Sequence, residues 1–362
     1  MLDFIVETET VWDKLKNTSK PIVLYGMGNG ADKILDWCEA NQVKVQGIFA
    51  SDEFVRYQQF RGFTVVKYQD LLERLGQELL VVIAFASELP EVLQKFKTLA
   101  EQQECLAPHL PLFPEKETVS IAWLKKHEVQ LQLVYDKLAD DWSRRVFADT
   151  LNYKLSGKIS YLFHCETNRK MDLKNLFSWK SDEVYLDLGA YNGDTVKEFL
   201  ELTQERYGSV VAVEPDRRNC RKLRSLAENI KNLQVVEKGI WSCDGELGFS
   251  DSGGRQSTFV EATKKTVAVT TIDTLMHRFL PDQAVTYIKM DLEGCENQAL
   301  AGAEQVIVNQ KPKMFVAAYH YDRDIYELPL RLWQLVPEYK LYLRKHPYVP
   351  AWELNFFCIS ED

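Results

Sequence analysis

Three short segments concentrate the residues able to do chemistry, and each is an apolar run ending in charged or small side chains. The first is Val184-Tyr-Leu-Asp-Leu-Gly-Ala-Tyr-Asn-Gly-Asp-Thr195. Its apolar stretch runs into Asp187, then Gly189, Ala190 and Gly193, and a helix should open near Thr195. Glycine allows backbone angles and close ligand approach that other residues forbid. Asp187 could take an ammonium group directly or through water, and Asp194 or Thr195 could cap the helix.

The second segment, Val210-Val-Ala-Val-Glu-Pro-Asp216, puts Glu214 at the tip of the next strand, 21 residues after Gly193. A carboxylate there can accept both hydroxyls of a ribose. Gly189-x-x-x-Gly193 is not Gly-x-Gly-x-x-Gly, which favours an adenosyl ligand without pyrophosphate over a dinucleotide. The third segment, Tyr287-Ile-Lys-Met-Asp-Leu-Glu-Gly294, alternates Lys289, Asp291 and Glu293 at the end of an apolar strand. Alternation sends all three to one side. A buried strand ending in three charges needs a reason, because unpaired buried charge is costly. A salt-bridged strand end is the plain alternative.

In this order the three segments resemble the FkbM family of S-adenosyl-L-methionine-dependent methyltransferases over roughly residues 183–359. Ile288-Lys-Met-Asp-Leu-Glu-Gly294 is the most distinctive piece. The resemblance implies that Asp187, Gly189 and Gly193, with Ala190 and Asp194 between and beside them, line the methionine side of the cofactor. It implies that Glu214 holds the ribose, and that Gly239, Ile240 and Trp241 flank the adenine. It also places Asp291 and Glu293 beside the methyl group and the acceptor, a hydroxyl on a sugar, glycan precursor or secondary metabolite.

A hydroxyl is a poor nucleophile while protonated, so a base within reach helps. Candidates are His320, in Ala317-Ala-Tyr-His-Tyr-Asp322, and the carboxylates of Asp291 and Glu293, with His320 preferred. The same three could ligate a divalent ion. They lack a clear second carboxylate pair, so no metal is expected. Arg344 and His346 could meet an anionic acceptor or only solvent. Acceptor choice is expected to sit in loops such as Ser250-Asp-Ser-Gly-Gly-Arg255.

The elements that position these residues read as α/β. Strands are expected near 183–188, 209–213, 233–236, 285–290 and 313–318, with helices between most of them. Segments 339–344 and 355–359 lack an intervening helix and suggest a terminal antiparallel hairpin. Upstream, Pro21-Ile-Val-Leu-Tyr25 runs into Gly26-Met-Gly-Asn-Gly30 and a helix carrying Ile34, Leu35, Trp37 and Cys38 on one face. Gly26-x-Gly28-x-x-Ala31, with Asp52 ending the next strand, satisfies a nucleotide-binding pattern. This resembles the small Rossmann-like domains, related to CoA-binding folds, that precede some sugar-modifying enzymes. A nucleotide or nucleotide-sugar site and a scaffold that only packs both remain open. The expected organisation is two Rossmann-like domains, 1–115 and 181–362, the second a methyltransferase sheet, joined by a helical connector at 116–180.

Composition bounds the rest. At 362 residues, two domains are expected. A net charge of -9 argues against a nucleic-acid partner, which needs a basic face. Seven widely spaced cysteines without Cys-x-x-Cys suggest neither disulfides nor zinc, and fit a cytoplasmic protein. No apolar run is long enough to span a membrane, and the amino terminus does not read as a signal peptide. A non-catalytic nucleotide-sugar-binding protein with a degenerate methyltransferase fold is the alternative function.

Overall fold

The structure, a computed structural model, describes residues 2–250, 258–259 and 266–360, with the side chains of 249–250 and 258–259 left aside. Apart from Ser250, the Ser250–Arg255 loop lies outside the described residues. The chain forms two compact units, and neither is a continuous stretch. Unit 1 comprises Met1–Leu133, Arg144–Glu166 and Lys345–Glu353. Unit 2 comprises Val134–Ser143, Thr167–Arg344 and Leu354–Asp362. The helical segment 116–180 is thereby divided between the two units.

Unit 1 is built on six strands: β1 (Ile22–Tyr25), β2 (Val45–Phe49), β3 (Gln59–Phe60), β4 (Phe63–Val66), β5 (Leu80–Ile83) and β6 (Glu104–Leu106). Their order is β3-β4-β2-β1-β5-β6, and every pairing is parallel except β3 with β4. Successive side chains of a strand point to opposite faces. Ile22 and Leu24 accordingly join one apolar cluster, and Val23 and Tyr25 the other. The helix Asn29–Ala40 buries Ala31, Ile34, Leu35 and Cys38, while Trp37 is partly buried against Trp12.

One expectation for this unit needs correcting. Strand β2 ends at Phe49, so Asp52 does not end it; Asp52 opens a short 3-10 turn, exposed, 3.8 Å from Lys67 Nζ. The close helix-to-strand approach falls on Gly30, where a Cβ would collide with the carbonyl oxygen of Ala84. Ala31, the fingerprint position, buries its methyl in the core instead.

Unit 2 has a seven-stranded sheet of β7 (Val184–Leu188), β8 (Ser209–Val213), β9 (Leu233–Val236), β14 (Tyr287–Met290), β15 (Lys313–Ala317), β16 (Lys340–Lys345) and β17 (Leu354–Ile359). Between β9 and β14 the chain forms a second, four-stranded sheet from β10 (Gly239–Ile240), β11 (Gly245–Ser250), β12 (Thr258–Phe259) and β13 (Thr266–Thr270), in the order β10-β13-β11-β12. The large sheet runs β16-β17-β15-β14-β7-β8-β9. Strands β9 through β15 are parallel in it, and β17 is antiparallel to β15. The chain moves from β7 toward β9 on one side and from β14 toward β15 on the other. Such a reversal opens a crevice at the carboxyl ends of the strands where it occurs. β7 and β14 flank that point, and their ends carry the residues singled out above.

Replacing Gly30 by alanine should destabilise the protein by about 2 kcal/mol, since backbone stands where the new methyl must go. Urea unfolding followed by circular dichroism would measure it. A midpoint equal to the parent's would mean the helix shifts away without cost.

Candidate functional site

Asp187 is fully buried one residue before the end of β7. Its Oδ2 accepts a hydrogen bond from Thr195 Oγ1 at 2.5 Å, and its Oδ1 lies 3.5 Å from Lys289 Nζ. Lys289 is the register partner of Asp187 on β14, and its Nζ donates to the Gly189 carbonyl at 2.7 Å. Burial pushes the Asp187 carboxyl above its ordinary value, with Lys289 opposing. Burial also works against the charge on Lys289, but Asp187 and then Asp291 outweigh it and raise that pKa. The two charges stabilise each other, and each has a closer neutral partner, Thr195 for Asp187 and the Gly189 carbonyl for Lys289.

The glycine turn follows. Gly189 adopts φ +79°, and a Cβ there would collide with the Asp291 carbonyl oxygen. The turn after β7 is therefore in backbone contact with the turn after β14. The N–H groups of Gly189 and Ala190 both donate to the Val213 carbonyl at 3.0 Å. Gly193 precedes the helix Asp194–Thr203 without a side-chain cap. Neither capping candidate caps that helix: Asp194 accepts from the Thr195 N–H, and the Thr195 hydroxyl is spent on Asp187.

Glu214, just beyond β8, is tied to the same turn. Its Oε2 accepts from the Tyr191 N–H at 2.9 Å and its Oε1 from the Asp216 N–H at 2.8 Å. Burial raises its pKa, and the two backbone donors oppose the rise. Gly239 and Ile240 are buried in β10 beside β13. Trp241 is half-buried, and its N–H donates to the Thr270 carbonyl at 3.0 Å. Of this trio only Trp241 keeps side-chain surface for a ligand ring.

Strand β14 ends at Met290, so the alternation that begins at Lys289 does not continue as a strand. Lys289 faces Asp187, whereas Asp291 and Glu293 gather around His320. The Nε2 of His320 lies 3.4 Å from Asp291 Oδ1 and 3.6 Å from Glu293 Oε2. On the other ring edge Nδ1 lies 3.1 Å from Glu296 Oε1, an oxygen that also accepts from the Leu292 N–H at 2.7 Å. Tyr319 donates its hydroxyl to Asp291 Oδ1 at 3.2 Å. His320 and Glu296 are buried, while the Asp291 and Glu293 side chains are 30% and 29% exposed and form the open side.

Burial disfavours a charged His320, but Glu296 and then Asp291 and Glu293 push its pKa up to about 10. Burial lifts Glu293 to about 8 against the pull of His320. Burial also raises Glu296, yet His320 outweighs it and holds that carboxyl below its ordinary value. With its ring protonated, His320 acts here as a cation among acids.

Glu296 and Tyr319 were not singled out in the sequence. Glu296 carries a faint signal, being three residues beyond Glu293; Tyr319 carries only its adjacency to His320. Arg344 is not available to an acceptor, because Asp140 holds it at 2.6 Å and it is buried. His346 is buried as well, 4.0 Å from Glu353. All seven cysteines are free, and Cys295 is a small buried residue. No helix among the described residues is long and apolar enough to cross a membrane.

Residues 187–349 match the family model described as the methyltransferase FkbM domain, a span that begins at Asp187 and includes Glu214, Asp291 and His320. This stretch is similar in sequence to the FkbM methyltransferase domain. The likeness in fold covers the whole chain, which matches methyltransferase FkbM from Methylobacillus flagellatus KT with TM-score 0.74 and 19% identity, over 99% of this chain and 96% of that one. An rRNA methylase from Streptococcus thermophilus matches with TM-score 0.34 and 11% identity, over 51% of this chain and 90% of that one. Aeropyrum pernix fibrillarin in complex with natively bound S-adenosyl-L-methionine gives TM-score 0.33 and 14% identity, over 52% and 73%. Likenesses as distant as these last two carry no argument about the FkbM site. No curated protein matches the chain.

Lys289→Met should cost roughly 3–5 kcal/mol, because it strands Asp187 as a buried charge. Denaturant unfolding would reveal the loss. Full stability in that variant would show that Asp187 does not depend on the lysine.

Proposed function

We propose that this chain is an S-adenosyl-L-methionine-dependent methyltransferase acting on a hydroxyl of a sugar, glycan precursor or secondary metabolite. The observation that carries the reading is the convergence of three strand ends on one turn. Gly189 is fixed by β8 through the Val213 carbonyl, by Lys289 of β14, and by contact with the Asp291 backbone. A ligand seated on that turn has Asp187 beneath it, Glu214 to one side and Asp291 to the other.

S-adenosyl-L-methionine supplies an activated methyl group on a sulfonium. In-line displacement gains most of its rate from holding the two reactants in position. Glu214 would hold the ribose hydroxyls: each oxygen already accepts one backbone N–H, and the Asn219 side chain adds a third donor to the same carboxylate. Asp187, with Gly189, Ala190, Gly193 and Asp194, would bound the methionine portion, and Trp241 would lie against the adenine. Asp291 and Glu293 present the open carboxylates of the acceptor side, either of which can receive the hydroxyl proton. His320 contacts both from the buried side and fixes where they point.

Glu214→Ala should weaken S-adenosylhomocysteine binding at least about tenfold, the loss of one charge-assisted hydrogen bond or two. Calorimetric titration of parent and variant measures this; failure of the parent to bind would sink the reading. Binding should also decline in acid. Glu214 and Asp187 act as acceptors when ionised, and burial raises both pKa values, so the ionised forms are lost sooner as pH falls than for exposed carboxyls. Titrations at about pH 7.5 and about pH 5 should show the weaker affinity at the lower value. Equal affinities would remove these two carboxylates from the ligand.

A further inference from the structure

The group around His320 holds more acid than one imidazole balances. Asp291, Glu293 and Glu296 face the ring. Asp324 is also buried and acts on Glu296, its Oδ2 accepting from the Tyr321 N–H at 2.8 Å. The neighbouring cations are committed elsewhere: Lys289 to Asp187 and the Gly189 carbonyl, Arg323 to Glu327 at 3.4 Å. Burial raises Glu293 and Asp324 toward their neutral forms, so protons stand where a cation could take their place.

The geometry accommodates an ion. One carboxylate oxygen each from Asp291 and Glu296 and one ring nitrogen of His320 all lie within 4.8 Å of one another. Ligand atoms about 2.1 Å from an octahedral ion stand about 3.0 Å apart when adjacent and about 4.2 Å apart when opposite. The 3.1 Å between His320 Nδ1 and Glu296 Oε1 is the adjacent spacing. A second observation points the same way: Glu296 Oε2 is buried and accepts no hydrogen bond from any described residue. That oxygen is on the same carboxylate that faces the ring.

We propose that Asp291, Glu296 and His320, its ring releasing a proton to solvent as the ion binds, form a divalent-cation site, and that the acceptor binds it through two neighbouring hydroxyls. One imidazole with carboxylates suits a borderline-to-hard ion such as Mn²⁺. Three protein ligands leave coordination positions open, and Asp291, 30% exposed, is the ligand through which the site meets solvent. The acceptor's role rests on the methyltransferase reading; the ion site itself does not. A bound hydroxyl is made more acidic by the ion and gives its proton to Glu293. Its oxygen then forms a bond to the methyl carbon while the carbon–sulfur bond breaks, the electron pair staying on sulfur to leave the neutral thioether S-adenosylhomocysteine. The substrate class that follows is a vicinal diol, as on a sugar ring.

The test uses the full chain, stripped with chelator and titrated with Mn²⁺, free ion being followed by its six-line electron paramagnetic resonance signal. The parent should remove one equivalent from that signal. Asp291→Asn, a change at a partly exposed side chain, and His320→Gln should each weaken uptake at least about tenfold, in line with losing one of three ligands. Circular dichroism establishes that each variant is folded. S-adenosylhomocysteine binding is measured separately and should survive Asp291→Asn better than Glu214→Ala. Absence of Mn²⁺ uptake by a parent that binds S-adenosylhomocysteine overturns the ion site alone. Uptake indifferent to Asp291→Asn overturns it too. Uptake by a parent that does not bind S-adenosylhomocysteine upholds the ion site and removes the methyltransferase reading.

Discussion

The buried pairing of Lys289 with Asp187 fixes the active end of the large sheet. Each partner alone would be prohibitively placed, since a lone charge in so dry a position favours neutralisation or unfolding. Together they are tolerable, and the lysine has donors left over. One goes to the Gly189 carbonyl, so the ammonium that neutralises β7 also clamps the turn leaving it. The turn in turn has no room for a side chain at Gly189, because the backbone of Asp291 occupies that space. Charge balance, loop conformation and the approach of β14 to β7 are one constraint, and the placement of the acidic residues beyond β14 follows from it.

Around His320 the same physics is arranged differently. There the acids outnumber the base, and part of the group is open to solvent. A fully paired arrangement is static, whereas a group with spare acid can take up a proton or a cation. A closed pair thus lies beneath the glycine turn, and an open, acid-rich group lies around His320.

Much of this was legible in the sequence for a definite reason. Parallel strands covered on both faces read as unbroken apolar runs, so β8 and β9 have the limits expected, and β7, β14 and β15 differ by a residue or two. Strand-end residues such as Asp187 and Glu214 stand out because charge interrupts those runs. What was hidden has no such contrast. The small sheet from β10 to β13 includes Gly245-Glu-Leu-Gly-Phe-Ser250, which shows no apolar stretch. Glu296 lies on a short helix, where one more acid is unremarkable until His320 folds against it. Asp52 was misplaced because the chain leaves β2 three residues early and turns. The strand periodicity could not reveal where Lys289 parts company with Asp291, since that depends on the strand ending at Met290.

The division of the chain into interleaved units bears on how the protein is made. Unit 1 draws its last piece, Lys345–Glu353, from beyond the long Thr167–Arg344 stretch of unit 2. Val349 and Ala351 belong to its apolar core, and the Val349 carbonyl accepts from the Ser87 N–H at 2.8 Å. On the ribosome, domains ordinarily fold in sequence as they emerge. Here the amino-terminal unit cannot complete its core until residue 353 has been synthesised, by which time most of unit 2 has been synthesised as well. The two halves must therefore mature together, and a nascent chain arrested before residue 345 would present an unfinished apolar face to whatever chaperones are at hand.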